Sequence, residues 1–125
     1  MPHITLECSS NVEMDFQQFF RELTEQLVDT GHAPKLGMKC RVVSSEEFYI
    51  VDGNEEFKMA NLLLRLREGR TKEILLDFSE IGMSLMRKHL AQDVEDKTII
   101  LSTEIIELVK GQDLTFNSIR LRTQD

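Results

Sequence analysis

Pro2, directly behind the initiator Met1, is the residue best suited to proton chemistry in this chain. Once the methionine is trimmed, its nitrogen becomes a free secondary amine with no flexible side chain. Burial and neighbouring cations both disfavour the protonated form and bring the pKa toward neutrality. A base poised near the working pH is what proton transfer requires. A retained Met1 turns the same nitrogen into an amide, which is no base. Taken alone, Pro2 is equally a chain start that resists degradation. What sets it apart is the stretch behind it, which reads as a strand and would hold the terminus in a sheet.

Cations are the second feature. The chain is acidic, with 15 Lys and Arg against 22 Asp and Glu and a net charge of −7, yet its cations cluster. Lys35, Lys39 and Arg41 surround the start of one strand-like segment, and Arg65, Arg67, Arg70 and Lys72 the end of another. Residues two apart on a strand share a face, so Lys39 pairs with Arg41 and Arg65 with Arg67. Arg70 stands just before a helix N-terminus, where backbone N–H groups also favour anions. Guanidinium groups grip carboxylates through two parallel hydrogen bonds. One reading is a pocket for a small carboxylate. The other is a set of solvated strand faces paired with Glu46, Glu47, Glu55 and Glu56. Spacing alone leaves both open.

Other reactive side chains are less suggestive. His3, His32 and His89 are far apart and lack a second ligand at metal-binding spacing. His89 falls on an apolar helical stripe and reads as a boundary histidine. Glu104 and Glu107 read as strand-surface carboxylates, with a general acid as the sharper alternative. Cys8 and Cys40 have no metal or redox spacing and read as buried, inert thiols. No nucleophile elbow, phosphate loop, zinc helix or dinucleotide fingerprint is present.

The segments carrying these residues alternate in period. Residues 2–8 alternate, with Pro2, Ile4, Leu6 and Cys8 on one face and His3, Thr5 and Glu7 on the other. From Asp15 a helical stripe of Phe16, Phe19, Phe20, Leu23 and Leu27 runs to a stop at Gly31. Residues 38–43 alternate again, residues 48–51 extend an apolar, aromatic strand, and Asp52-Gly53 gives a hairpin-turn signal. The second half repeats the order. A strand over 57–67 leads to a helix capped by Thr71 and running to about Gln92, then to a strand over 98–109 and a polar tail. The expectation is an α+β fold of two consecutive βαβ units, with parallel strands within each unit because crossovers are right-handed. One domain spans residues 1–125, with halves at about 2–55 and 56–112 and a C-terminal tail. The ferredoxin-like fold has the same element string and many unrelated roles, so this order selects no function.

Composition narrows the class. An acidic chain argues against nucleic acid and anionic membranes as main partners. No apolar run approaches the roughly 20 residues of a spanning helix, and no signal-peptide pattern opens the chain. A cytoplasmic protein is expected.

The opening Pro2-His3-x-x-x-Glu7-Cys8-Ser9-x-Asn11 resembles the start of the 5-carboxymethyl-2-hydroxymuconate isomerase family, in the tautomerase superfamily with 4-oxalocrotonate tautomerase. The likeness runs through most of the chain: Thr30-Gly31, Gly37 with Arg41-Val42, Asp52-Gly53, Gly69-Arg70 and Glu104-Ile105-Ile106-Glu107-Leu108 recur in the same order. The resemblance implies a mixed four-stranded sheet with two helices on one face, and a homotrimer. It also implies cofactor-free keto–enol isomerisation of an unsaturated 2-hydroxy- or 2-oxo-carboxylate in aromatic-compound catabolism. Pro2 matches the catalytic proline, and Arg70 an arginine used on substrate carboxylate. Lys39 holds the place of the second arginine, and Arg41 matches a neighbouring one. Phe116 resembles a segment lining the pocket from the tail. Lysine keeps the charge but loses the planar fork. The alternatives are a non-catalytic trimeric anion-binding or regulatory module of the same fold, and a decarboxylase or dehalogenase of the same superfamily.

Overall fold

A computed structural model describes residues 1–124 of the chain. The first alternating stretch forms β1 (His3–Ser9), with Ile4, Leu6 and Cys8 buried. The Asp15 carboxylate accepts from the Gln18 backbone N–H at 3.0 Å and caps helix α1 (Phe16–Asp29). Such a cap is worth about 1 kcal/mol. Gly31, at φ +81, follows as the stop. A short 3-10 turn, Lys35–Gly37, leads into β2 (Lys39–Ser45). The second half holds β3 (Lys58–Arg67), α2 (Lys72–His89), α3 (Ala91–Glu95) and β4 (Ile99–Leu108). Thr71 caps α2 by accepting from the Ile74 N–H.

The sheet order is β2-β1-β3-β4. β1 runs parallel to β2 and β3 parallel to β4, while β1 and β3 are antiparallel at the centre. The sheet is therefore mixed and four-stranded, as expected. Ile4, Leu6, Ala60, Leu62, Leu64 and Leu66 line the buried face. Phe19, Leu23 and Leu27 of α1 and Phe78, Leu85 and Met86 of α2 close the core over them. A Cβ on Gly82 would run into the Leu62 side chain, so α2 lies close on β3.

Two expected features differ. Residues 48–51 form no strand, and Asp52-Gly53 joins no hairpin. A hairpin needs adjacent strands, but β1 lies between β2 and β3. The chain must pass the end of β1, and it does so in a loop whose Ile50 alone among 48–51 is buried. The Asp-Gly pair still turns there, with the Gly53 N–H donating to Ile50 O at 2.9 Å. Helix α2 also ends at His89, before Gln92, because Leu90 leaves helical geometry at φ −115 and ψ 31 and α3 resumes beyond it.

His89 is the boundary residue its stripe implied. Its side chain is 12 % exposed, and Nε2 lies 2.6 Å from the Glu22 carboxylate on α1. Its ring meets Phe19 edge-on at 5.5 Å. Lys88 donates to the same carboxylate at 3.1 Å. These hydrogen bonds, led by His89, lower the Glu22 pKa from 4.5 to about 2. A carboxyl with a depressed folded-state pKa stabilises the fold above its unfolded pKa and loses that contribution as pH falls. The window here runs from about 4.5 down to about 2. Glu22→Gln is therefore expected to lower Tm at neutral pH and to flatten the fall in Tm across that window. Thermal melts of both proteins from pH 7 to pH 2 check this, and parallel Tm curves would contradict it.

Candidate active site at the chain start

β1 begins in the middle of the sheet, so the chain start is held between β2 and β3. Pro2 is fully buried, on the face of Ile4. Met1 reaches into a cleft of about 450 Å³. Pro34 and Gly37 line it from the segment before β2, Arg67 and Arg70 from the end of β3, and Thr115, Asn117 and Arg120 from the tail. A Cβ at Gly37 would collide with the Met1 carbonyl oxygen, so only glycine admits the terminus this closely.

The electrostatics there favour a neutral amine. The Met1 α-amine has its pKa lowered from 8.0 to about 6. Burial is the largest cause, followed by a hydrogen bond with Lys39 and the charges of Lys39 and Arg67; Asp113 opposes them. Burial and the charges of Lys39 and Arg41 likewise lower the His3 pKa. A Pro2 amine would lie one residue further along the chain.

Arg70 is held by two carbonyls: Nε donates to His32 O at 3.0 Å and Nη1 to Arg67 O at 3.1 Å. Its guanidinium also stands 5.7 Å from the Phe78 ring centroid. Lys39 Nζ donates to Gly37 O at 2.8 Å. The strand register sets Lys39 beside His3, and Arg65 on the other side of it. Arg41 lies one step further along that outer face, with Nη2 3.0 Å from His3 Nδ1 and Nη1 3.4 Å from Thr5 Oγ1. It does not line the cleft. Phe116, 86 % exposed, borders a smaller hollow of about 210 Å³ that includes Lys39 and shares Gly37, Thr115 and Asn117 with the cleft. Pro2, Lys39 and Arg70 thus converge on one end of the sheet, with Arg41 and Phe116 at its margins.

Several liners were not singled out by sequence. Asn117 donates to Leu36 O at 2.7 Å and fastens the tail over the segment before β2. Arg67 donates to Asp113 at 2.9 Å. Strand alternation marked Arg67 as a cation, but no local signal ties residues 113–120 to the chain start. A second hollow, of about 440 Å³, lies at the far end of β1 beside Glu7, Tyr49 and Asn61. Its described lining carries no Lys, Arg or His, so it has no cation for a carboxylate.

Cys8 is buried and Cys40 half-buried, and both thiols are free. Burial pushes the Cys40 thiol up to about 11 and also raises that of Cys8, which makes both poor nucleophiles. Glu104 accepts from Asn61 at 2.7 Å on the outer sheet face, away from the cleft.

A family model described as 5-carboxymethyl-2-hydroxymuconate isomerase matches residues 2–123. A 5-carboxymethyl-2-hydroxymuconate Delta-isomerase from Escherichia coli is 31% identical over 110 residues, covering 86% of this chain and 87% of its own. A solved 5-carboxymethyl-2-hydroxymuconate isomerase from Deinococcus radiodurans R1 superposes with a TM-score of 0.89 at 24% identity, over 99% of this chain and 95% of that one. A fused 4-OT wild type symmetric trimer shares the fold more distantly, with a TM-score of 0.63 at 14% identity over 91% and 93% of the two chains. With the family model spanning nearly the whole sequence, the chain belongs to the 5-carboxymethyl-2-hydroxymuconate isomerase family and is an isomerase.

Proposed function

We propose that the protein isomerises an unsaturated 2-hydroxy- or 2-oxo-carboxylate such as 5-carboxymethyl-2-hydroxymuconate, with the Pro2 amine as proton shuttle. The observation that supports this reading is the setting of the chain start: Pro2 is buried, and the Met1 α-amine before it has its pKa lowered by burial and by Lys39 and Arg67 at the cleft. A Pro2 amine freed in the same surroundings would have its protonated form disfavoured by the same burial and cations. It takes the proton from the dienol oxygen or from carbon, and the electron pair left behind spreads over the conjugated system as a dienolate. The resulting ammonium returns the proton at another carbon of the conjugated system, so the double bond shifts and nothing else is consumed.

Arg70 and Lys39 hold the substrate carboxylates, and their charges stabilise the negative charge that develops on oxygen. Phe116, at the rim, completes the substrate-facing set, while Arg41, further along the outer face, adds its positive charge without lining the cleft. No metal or nucleotide takes part in these steps. A homotrimer is the proposed assembly. It is supported by the fold shared with a solved trimer and by the open edges of β2 and β4, which need cover. The free thiols suit a reducing, cytoplasmic setting.

The test is an ultraviolet assay on 5-carboxymethyl-2-hydroxymuconate, using protein whose first residue is established as Pro2 by intact mass. Catalytic loss of the dienol absorbance is expected. A rate no higher than buffer would overturn the reading.

A further inference from the structure

The cleft holds a cation to which the steps above give no substrate group. Arg67, the last residue of β3, lines it together with Arg70. Its side chain is 53 % exposed, so an arriving ligand can reach it. Both ends of the residue are fixed. Its backbone pairs with β4, opposite Leu108, and its carbonyl accepts from Arg70 Nη1 at 3.1 Å. Its head is held by the tail: Nη2 donates to Asp113 Oδ2 at 2.9 Å, and Thr115 Oγ1 donates to the same oxygen at 3.5 Å.

These bonds give the two guanidinium groups different stations on one wall. Arg70 rests its head on the carbonyls of His32 and Arg67, whereas Arg67 sends its own to the tail. A guanidinium carries five N–H donors, and one carboxylate oxygen at Nη2 does not use them up. A second carboxylate is the partner such donors bind most strongly. The cleft, about 450 Å³, has the size of a small-ligand site and room for more than one point of attachment.

We propose that Arg67 is a specificity-determining residue that receives a third substrate carboxylate, beyond the two held by Arg70 and Lys39. The cleft then prefers unsaturated tricarboxylates to dicarboxylates. Asp113 holds the Arg67 head in place, and its negative charge competes with that of the ligand. Arg120 lines the same cleft, but from the tail and not from the sheet. The proposal rests on the reading of the cleft as the substrate site.

Two dienols that differ by one carboxymethyl group give the test: 5-carboxymethyl-2-hydroxymuconate and 2-hydroxymuconate. The ratio of their kcat/KM values is measured in wild type, Arg67→Met, Arg67→Lys, Asp113→Asn and Arg120→Met, all beginning at Pro2. Any effect common to both substrates, including one on the base, cancels in the ratio. Wild type is expected to favour the tricarboxylate. Arg67→Met should cut that preference by about fivefold to tenfold, the low end for a charge-assisted contact because Arg67 is half-exposed. Arg67→Lys should recover part of it. Asp113→Asn should leave the preference at or above the wild-type value, because the competing charge is gone. An unchanged ratio in Arg67→Met would overturn the proposal. So would an equal fall in Asp113→Asn, which would make the pair a tail latch, or a loss confined to Arg120→Met. Calorimetry with tricarballylate and glutarate, which differ by one carboxylate and cannot isomerise, should give the same order in Kd. A preference for tricarballylate that Arg67→Met removes, without turnover of either dienol, would overturn the isomerase reading and leave Arg67 in its role. Turnover without any preference for the third carboxylate would do the reverse.

Discussion

Pro2→Ala is expected to lower isomerase turnover by about 10²- to 10⁴-fold, the usual worth of a positioned general base. Alanine still leaves an amine at the chain start, but a primary one, without the ring that fixes the direction of its lone pair. Pro2 is fully buried against the Ile4 face, so the ring's packing also sets where the nitrogen points. The fold itself should survive. The substitution removes only a few buried carbons at the edge of the core, at about 0.8 kcal/mol per methylene. The strands on either side pair through residues from His3 onward. Steady-state kcat, circular dichroism and intact mass on the same sample check this. Unchanged turnover in a correctly trimmed variant would sink the role of Pro2.

Arg70→Ala is expected to cost about 1.5–3 kcal/mol toward anionic substrates, the worth of a charge-assisted hydrogen bond. At 1.4 kcal/mol per decade this is about a 10- to 150-fold loss in kcat/KM. Neutral enolisable substrates should lose far less. Arg70 suits the role because its head is already held by His32 O, Arg67 O and the Phe78 face. Little rotamer freedom remains to be lost when a carboxylate arrives. Arg70→Lys should recover part of the loss through charge alone, since lysine lacks the planar fork. Equal losses on anionic and neutral substrates would make Arg70 a structural residue.

The regular elements were legible because each buries one face. Ile4, Leu6 and Cys8 declare β1 by alternation, and Phe19, Phe20, Leu23 and Leu27 declare α1 by helical spacing. The cap at Thr71 and the stop at Gly31 are local chemistry and read directly. Residues 48–51 misled because an apolar run looks the same whether or not a neighbouring strand receives it. Only the sheet order shows that β1 already occupies that place. The break at Leu90 was masked by an apolar stripe that continues through it.

Of the proposed site, Pro2, Lys39 and Arg70 could be named from their types, their neighbours in sequence and the family resemblance. The tail's part could not. Asn117 meets Leu36, and Asp113 meets Arg67, across most of the chain. Nothing in the spacing of a polar tail encodes such long-range contacts. Gly37 was visible as a family position, but its place against the chain start shows only in the structure.

The central claim is that the Pro2 nitrogen is the base. Its most direct test compares two forms of the protein, one beginning at Pro2 and one keeping Met1. The two are separated by mass and assayed side by side on 5-carboxymethyl-2-hydroxymuconate. In the longer form the Pro2 nitrogen is an amide and Met1 occupies the cleft among Arg67, Arg70 and Asn117. The account predicts turnover in the form beginning at Pro2 and a loss of about 10²-fold or more in the form keeping Met1. Equal turnover in the two forms would contradict it.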